Sequence, residues 1–151
     1  MAPMKAVMMH LLSLVAFPIF LLSLLTLGLR GDLFSSAPGV IACQVIGFAV
    51  MLWSRLSFPR GSFSFGAKPV GPTIVQAGPY RFIRHPIYAG AFLILWGSIA
   101  GHASIADAGI GLVASLLALG KNVQEERLLR ASLPGYDQYA RSTKAVIPFV
   151  L

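Results

Sequence analysis

The chain has 151 residues, of which 56% are hydrophobic and only 11% charged. A soluble domain carries about 25% charged residues, so most of this surface is not built to face water, and the length suits one domain, not two. The net charge of +7 comes from 12 Lys+Arg against 5 Asp+Glu. Beside long apolar runs it points to anionic lipid head groups and positive-inside topology, and away from nucleic acid, for which no basic helix or aromatic platform is present. Cys43 is the single cysteine, so no internal disulfide can form. With no Cys/His cluster, no metal is expected, and a small buried side chain is the reading for Cys43.

The first apolar run, Ala6 to Leu29, is interrupted only by His10, Ser13, Ser23, Thr26 and Pro18. It is long enough to span the hydrocarbon and longer than a signal-peptide core, so a retained membrane helix is expected, kinked at Pro18. Arg30 to Pro38 is a short polar connection in which Arg30 and Asp32 cancel. A second span runs from about Gly39 to Leu56, closed by Trp53 and Arg55 as at a membrane–water interface. Residues 57 to 86 carry Arg60, Lys68, Arg81 and Arg84, several Gly and Pro, and no acid. No helical or strand period runs through them, and a loop of that length is usually functional or disordered.

Between Arg84 and Lys121 the only potential charges are His85, His102 and Asp107. Gly101 to Asp107 reads as a turn between two apolar arms. The second arm has no breaker except Gly120 before Leu133, so it is expected to leave the membrane near Lys121 and continue as one helix to Pro134-Gly135. The basic segments alternate with the neutral or acidic ones. This puts both termini and the 57–86 loop on the cytoplasmic side. The expected fold is therefore a single all-α membrane domain, residues 1–151, with about four transmembrane helices (about 6–29, 39–56, 86–101 and 106–121), a cytoplasmic loop and a C-terminal helical segment. Residues 57–151 would carry the chemistry.

Three constellations could do so. The first is Gly78-Pro79-Tyr80, Arg81, Arg84-His85-Pro86 and Tyr88-Ala89-Gly90. Gly-Pro makes a turn, Pro86 suits the first position of a helix, and His85 before it is pushed out of the helical region. Backbone N–H groups and His85 at a helix N-terminus suit a carboxylate or phosphate; a basic turn touching lipid phosphates is the plainer alternative. Gly90 permits close approach of another backbone or of a ligand. The second is Lys121 and Glu125 at i, i+4 with Glu126 beside them. Glu126 can pair with Arg130, whereas Glu125 has its Lys on the unfavourable side and is freer to hold a cationic ligand group. The third is Gly135-Tyr136-Asp137-Gln138-Tyr139 with Arg141 and Ile147-Pro148, whose tyrosines alone would suggest an interfacial anchor.

Taken in order, G-P-Y-x-x-x-R-H-P-x-Y-x-G, then E-E-x-x-L, then G-Y-x-x-Y and I-P resemble the isoprenylcysteine carboxyl methyltransferase and phospholipid N-methyltransferase superfamily of membrane enzymes. The resemblance covers roughly Pro72 to Pro148, and the first two spans match only in being hydrophobic. R-H-P-x-Y alone is less specific, since membrane sterol reductases carry a similar stretch. The resemblance implies S-adenosyl-L-methionine as cofactor, wrapped by Pro72, Thr73, Ile74, Val75, Tyr80, His85, Pro86, Ile87 and Tyr88. Glu125, with Glu126 as the alternative, would hold its methionine part. Lys121 would face the methyl acceptor, and Lys121 and Glu125 are the expected catalytic residues. The eukaryotic carboxyl methyltransferases have Arg where this chain has Lys121. Arg clamps a carboxylate through two parallel hydrogen bonds and Lys offers a point charge. The Tyr136/Tyr139 segment is also one residue shorter than in those enzymes.

The resemblance implies a lipid-like or prenylated acceptor, with membrane lipids as surroundings. A carboxylate of the isoprenylcysteine type is favoured. It needs no general base, whereas a phospholipid amine must first lose a proton to Glu126, His85 or water. The rival functions are a nicotinamide-dependent membrane reductase and a non-enzymatic membrane scaffold.

Overall fold

The structure, a computed structural model, describes residues 2–58 and 74–146, with side chains from Val15 onward. Five α-helices form: α1 (Ala2–Arg30), α2 (Pro38–Leu56), α3 (Pro86–His102), α4 (Ile105–Ser132) and α5 (Tyr136–Ser142), with a 3₁₀ turn at Gly78–Arg81. Among the described residues there is no strand, only an isolated parallel bridge between Ile83 and Lys144. The all-helical class expected from composition is what forms. Of these helices, α2 and α4 are long and apolar enough to cross a membrane.

α2 and α3 run antiparallel, and small residues set how close they come. A Cβ added to Gly47 would lie 2.6 Å from the Gly90 carbonyl oxygen, and one on Gly97 would lie 2.7 Å from the Cβ of Cys43. Further along, Gly101 faces Val40. Rising numbers on α3 thus meet falling numbers on α2, the small-residue contact that lets apolar helices pack without a hydrophobic drive between them. Gly90 is therefore explained by the backbone of α2. Gln44 ties the pair to the α1–α2 connection, its amide donating to the Leu33 carbonyl at 2.6 Å and to Ser98 Oγ at 3.0 Å. Cys43 is partly buried in this seam.

The turn between α3 and α4 is tighter than the expected span of 101–107. Ala103 sits in the left-handed region at φ 49°, and Ser104 caps α4, its hydroxyl accepting from the Asp107 amide at 3.4 Å. α3 gains length accordingly and reaches 17 residues. Leu27, Leu95, Ile99 and Ala114 make a buried cluster from α1, α3 and α4. Beside them Arg30 Nε lies 3.3 Å from Asp107 Oδ1 and 3.1 Å from Asp32 Oδ2. Arg30 thus joins the end of α1 to the start of α4.

The distribution of polarity is the reverse of a soluble bundle. Leu22, Val45, Phe48 and Leu116 are exposed, while Asp107, Lys121, Asn122 and Ser98 are buried. Lipid in place of water accounts for that pattern.

Candidate active site

The turn before α3 and the chain after α5 are stitched together. The Arg84 amide donates to the Lys144 carbonyl at 2.8 Å, the His85 amide to the Ala145 carbonyl at 2.8 Å, and the Lys144 amide to the Phe82 carbonyl at 3.1 Å. The amide of the cap residue His85 is therefore already used, as is that of Arg84 before it. Pro86 occupies the first turn of α3, and His85 at the cap adopts φ −122°, outside the helical region as the following proline requires.

Arg84 is the hub. Its Nε donates to Glu126 Oε1 at 2.5 Å, and Nη1 donates to the carbonyls of Ala140 at 2.9 Å and Thr143 at 2.5 Å. Glu126 also accepts from His85 Nε2 at 3.2 Å, from Arg130 Nη2 at 3.3 Å and from the Tyr136 hydroxyl at 3.4 Å. Burial alone would push the Glu126 carboxyl up. The hydrogen bonds from His85 and Arg84 and their charges outweigh it and hold the group down at about 2. Burial, with Glu126 beside it, raises the Tyr136 hydroxyl above its ordinary value. Tyr139 is pushed up to about 12, chiefly by burial, and donates to the Tyr80 carbonyl at 2.7 Å. Both tyrosines are buried against Leu133 and Ile74, so they lock α5 onto the turn and do not serve as surface anchors.

Glu125, the next residue on α4, faces elsewhere. It lines a cavity of about 320 Å³ with Tyr80, His85, Tyr88 and Lys121 at one end. Phe17, Phe20, Leu21 and Leu24 of α1, with Ala91 and Ile94 of α3, make the apolar remainder. Lys121 is only 6% exposed; its Nζ lies 3.7 Å from Glu125 Oε1 and 5.5 Å from the centre of the Tyr88 ring. His85 is 7% exposed, stands edge-on to Tyr88 with ring centres 5.9 Å apart, and has Nδ1 3.9 Å from Glu125 Oε2.

Among the residues singled out from the sequence, Tyr80, His85, Pro86, Ile87, Tyr88, Lys121 and Glu125 share this cavity wall. Glu126 does not line it and is committed to protein partners. Ile74 packs on the Leu133–Tyr136–Tyr139 cluster, and residues 74–76 are irregular and not strand-like. Val75 is half-buried and outside the wall. Pro72, Thr73 and the Ile147-Pro148 pair lie outside the described residues. Sequence reading missed the hub role of Arg84 and the contribution of α1. The first carries no signal beyond its place in the motif, and the second is indistinguishable from any apolar helix. Among the described residues no three His, Cys, Asp or Glu side chains come together as a metal site.

Residues 37–133 match the family model of phospholipid methyltransferases. The chain belongs to that family, within the superfamily its motifs resemble. It is 37% identical over 76 residues to a nickel-cobalt-cadmium resistance protein of Alcaligenes xylosoxydans xylosoxydans, covering 50% of this chain and 36% of that protein. It is 34% identical over 77 residues to a cobalt-zinc-cadmium resistance protein of Cupriavidus metallidurans, covering 50% and 36%. A methanethiol S-methyltransferase of Crocosphaera subtropica is 31% identical over 72 residues, covering 47% and 28%. The chain thus spans about a third of the length of these curated relatives. No solved structure matches it. The two apolar helices and the membrane-enzyme family together point to a membrane protein.

Proposed function

We propose that this protein transfers a methyl group from S-adenosylmethionine to an amphiphilic acceptor at the cytoplasmic face of a membrane crossed by α1–α4. The observation that carries the reading is the two-ended cavity. Its charged end gathers motif residues from the 3₁₀ turn, α3 and α4, and its apolar end is walled by α1. The positive-inside distribution of Arg and Lys supports the orientation.

The residues present fit the cofactor. Glu125 offers a carboxylate for its ammonium group. Tyr80, Pro86, Ile87 and Tyr88 offer apolar and aromatic walls. The amides of Ile87 and Tyr88, too early in α3 to reach a carbonyl within it, suit its carboxylate. When bound, the group supplies a methyl carbon on a sulfonium. The protein's tasks are then alignment and electrostatics. Lys121 sits where it can orient the acceptor. A carboxylate acceptor would rest on Lys121 as its clamp, and that cation already faces Glu125 at 3.7 Å.

Calorimetry on the detergent-purified protein with S-adenosylmethionine, its demethylated product and NADPH tests the reading. Saturable binding of the methyl donor is expected. Binding of NADPH in its place would sink it and favour a reductase. Glu125→Ala is expected to weaken donor binding by about tenfold or more, equivalent to about 1.4 kcal/mol. Lys121→Ala is expected to spare donor binding and lower turnover; a loss confined to binding would move Lys121 into the cofactor shell.

A further inference from the structure

His85 has two ring nitrogens, and the structure treats them differently. Nε2 is 3.2 Å from Glu126 Oε1. An ionised carboxylate can only accept, so Nε2 carries the hydrogen. In the neutral ring the other nitrogen is then a bare lone pair. Nδ1 lies 3.9 Å from Glu125 Oε2, beyond hydrogen-bond reach, on a side chain that lines the cavity. A carboxylate behind an imidazole whose ring lines a pocket is the arrangement that fixes a base.

Resting on the cofactor reading above, we infer that His85 Nδ1 is the proton acceptor for a thiol nucleophile bound in the cavity beside Lys121, with Glu126 as the positioning residue behind it. The charges choose among acceptors. Arg84 and Arg130 are met by Glu126, and Arg130 also by Asp137. The groups left facing the cavity end are Lys121 and Glu125 from α4, Tyr88 from α3 and Tyr80 from the 3₁₀ turn. A carboxylate acceptor would leave the bare Nδ1 without a task. An ammonium acceptor would bring a cation next to Lys121 and to the sulfonium. A thiol enters neutral, and the thiolate it becomes is stabilised by both.

The step balances. The cysteine thiol has a pKa of about 8.5 and a plain alkanethiol is a weaker acid still, so at neutral pH the acceptor must give up its proton, here to Nδ1. The sulfur lone pair then forms the new bond to the methyl carbon. The carbon–sulfonium bond breaks with its electron pair left on the departing sulfur. The products are a methyl thioether and the neutral demethylated donor, and His85 passes its proton to water.

The test uses the full chain in detergent micelles. ¹⁵N NMR of histidine-labelled wild-type protein is expected to show the hydrogen of the neutral His85 ring on Nε2 and not on Nδ1; the opposite tautomer would overturn the assignment without any turnover measurement. With octanethiol at pH 7 and saturating methyl donor, His85→Asn is expected to lower the methylation rate by about 100-fold or more. With 4-nitrothiophenol, already largely ionised at that pH, the variant is expected to keep most of the wild-type rate. Glu126→Gln is expected to shift the pH profile for octanethiol and leave that for 4-nitrothiophenol in place. Equal losses on both thiols would overturn the proposal. If the variant fails to fold, the wild-type tautomer decides. Failure of the wild type to bind the methyl donor strikes the cofactor reading, whereas donor binding without any thiol methylation strikes this one.

Discussion

Two ends of the same helix bundle bury acids. At the α1–α4 end Asp107 is fully buried with Arg30 against it, and Arg30 is itself 45% exposed and shared with Asp32. At the other end Glu125 and Glu126 stand side by side on α4. Glu126 is answered by Arg84, His85, Arg130 and Tyr136, while Glu125 looks into a cavity with a buried lysine for company. The first end joins two helices by charge alone, with neither Asp107 oxygen in a hydrogen bond. The second is a closed network carrying an open one on its back. Neighbouring residues of identical type are thus turned to different surroundings, one to protein partners and one to the cavity, by about 100° of helix rotation.

The comparison breaks or sharpens by mutation. Arg84→Ala should have the largest effect, since it strands Glu126 and uncovers the carbonyls of Ala140 and Thr143; a loss of roughly 3–5 kcal/mol is expected in thermal unfolding. Arg30→Ala should cost less, roughly 1–3 kcal/mol, because water already reaches that guanidinium. Equal losses would mean that the two ends are built alike. Acid titration separates Glu126 from the rest. Its folded value of about 2 lies below the ordinary 4.5, so its contribution is complete above 4.5 and lost as pH falls toward 2. The stability gap between wild type and Glu126→Gln should therefore close as pH falls from 4.5 toward 2. Tyr139→Phe removes one buried hydrogen bond to the Tyr80 carbonyl and should cost about 1 kcal/mol, with turnover lowered only as far as the turn loosens.

Much of this was legible before any coordinates. Apolar runs gave the helices, Pro86 fixed the start of α3, and the absence of a breaker after Gly120 predicted the long α4 that ends at Ser132. The motifs located most of the cavity's charged end. What sequence could not give was which way a side chain points across the bundle. Glu125 and Glu126 are adjacent letters, and only the packing of the Arg84 turn against Ala140 and Thr143 decides that Glu126 turns away from the cavity. Nor could composition tell that Gly90 answers a carbonyl on α2, or that Tyr136 and Tyr139 are buried, because an interfacial and a buried tyrosine have the same spacing.

The stitching of residues 82–85 to residues 140–145 has a consequence for synthesis. The apolar helices can enter a membrane as they emerge, each satisfying its own backbone. The His85 turn cannot settle then, since the carbonyls that hold its amides and the Arg84 side chain belong to Ala140, Thr143, Lys144 and Ala145. Membrane insertion and completion of the site are therefore separate events in time, and a chain released before residue 145 would be a fully inserted protein whose His85 turn was never finished.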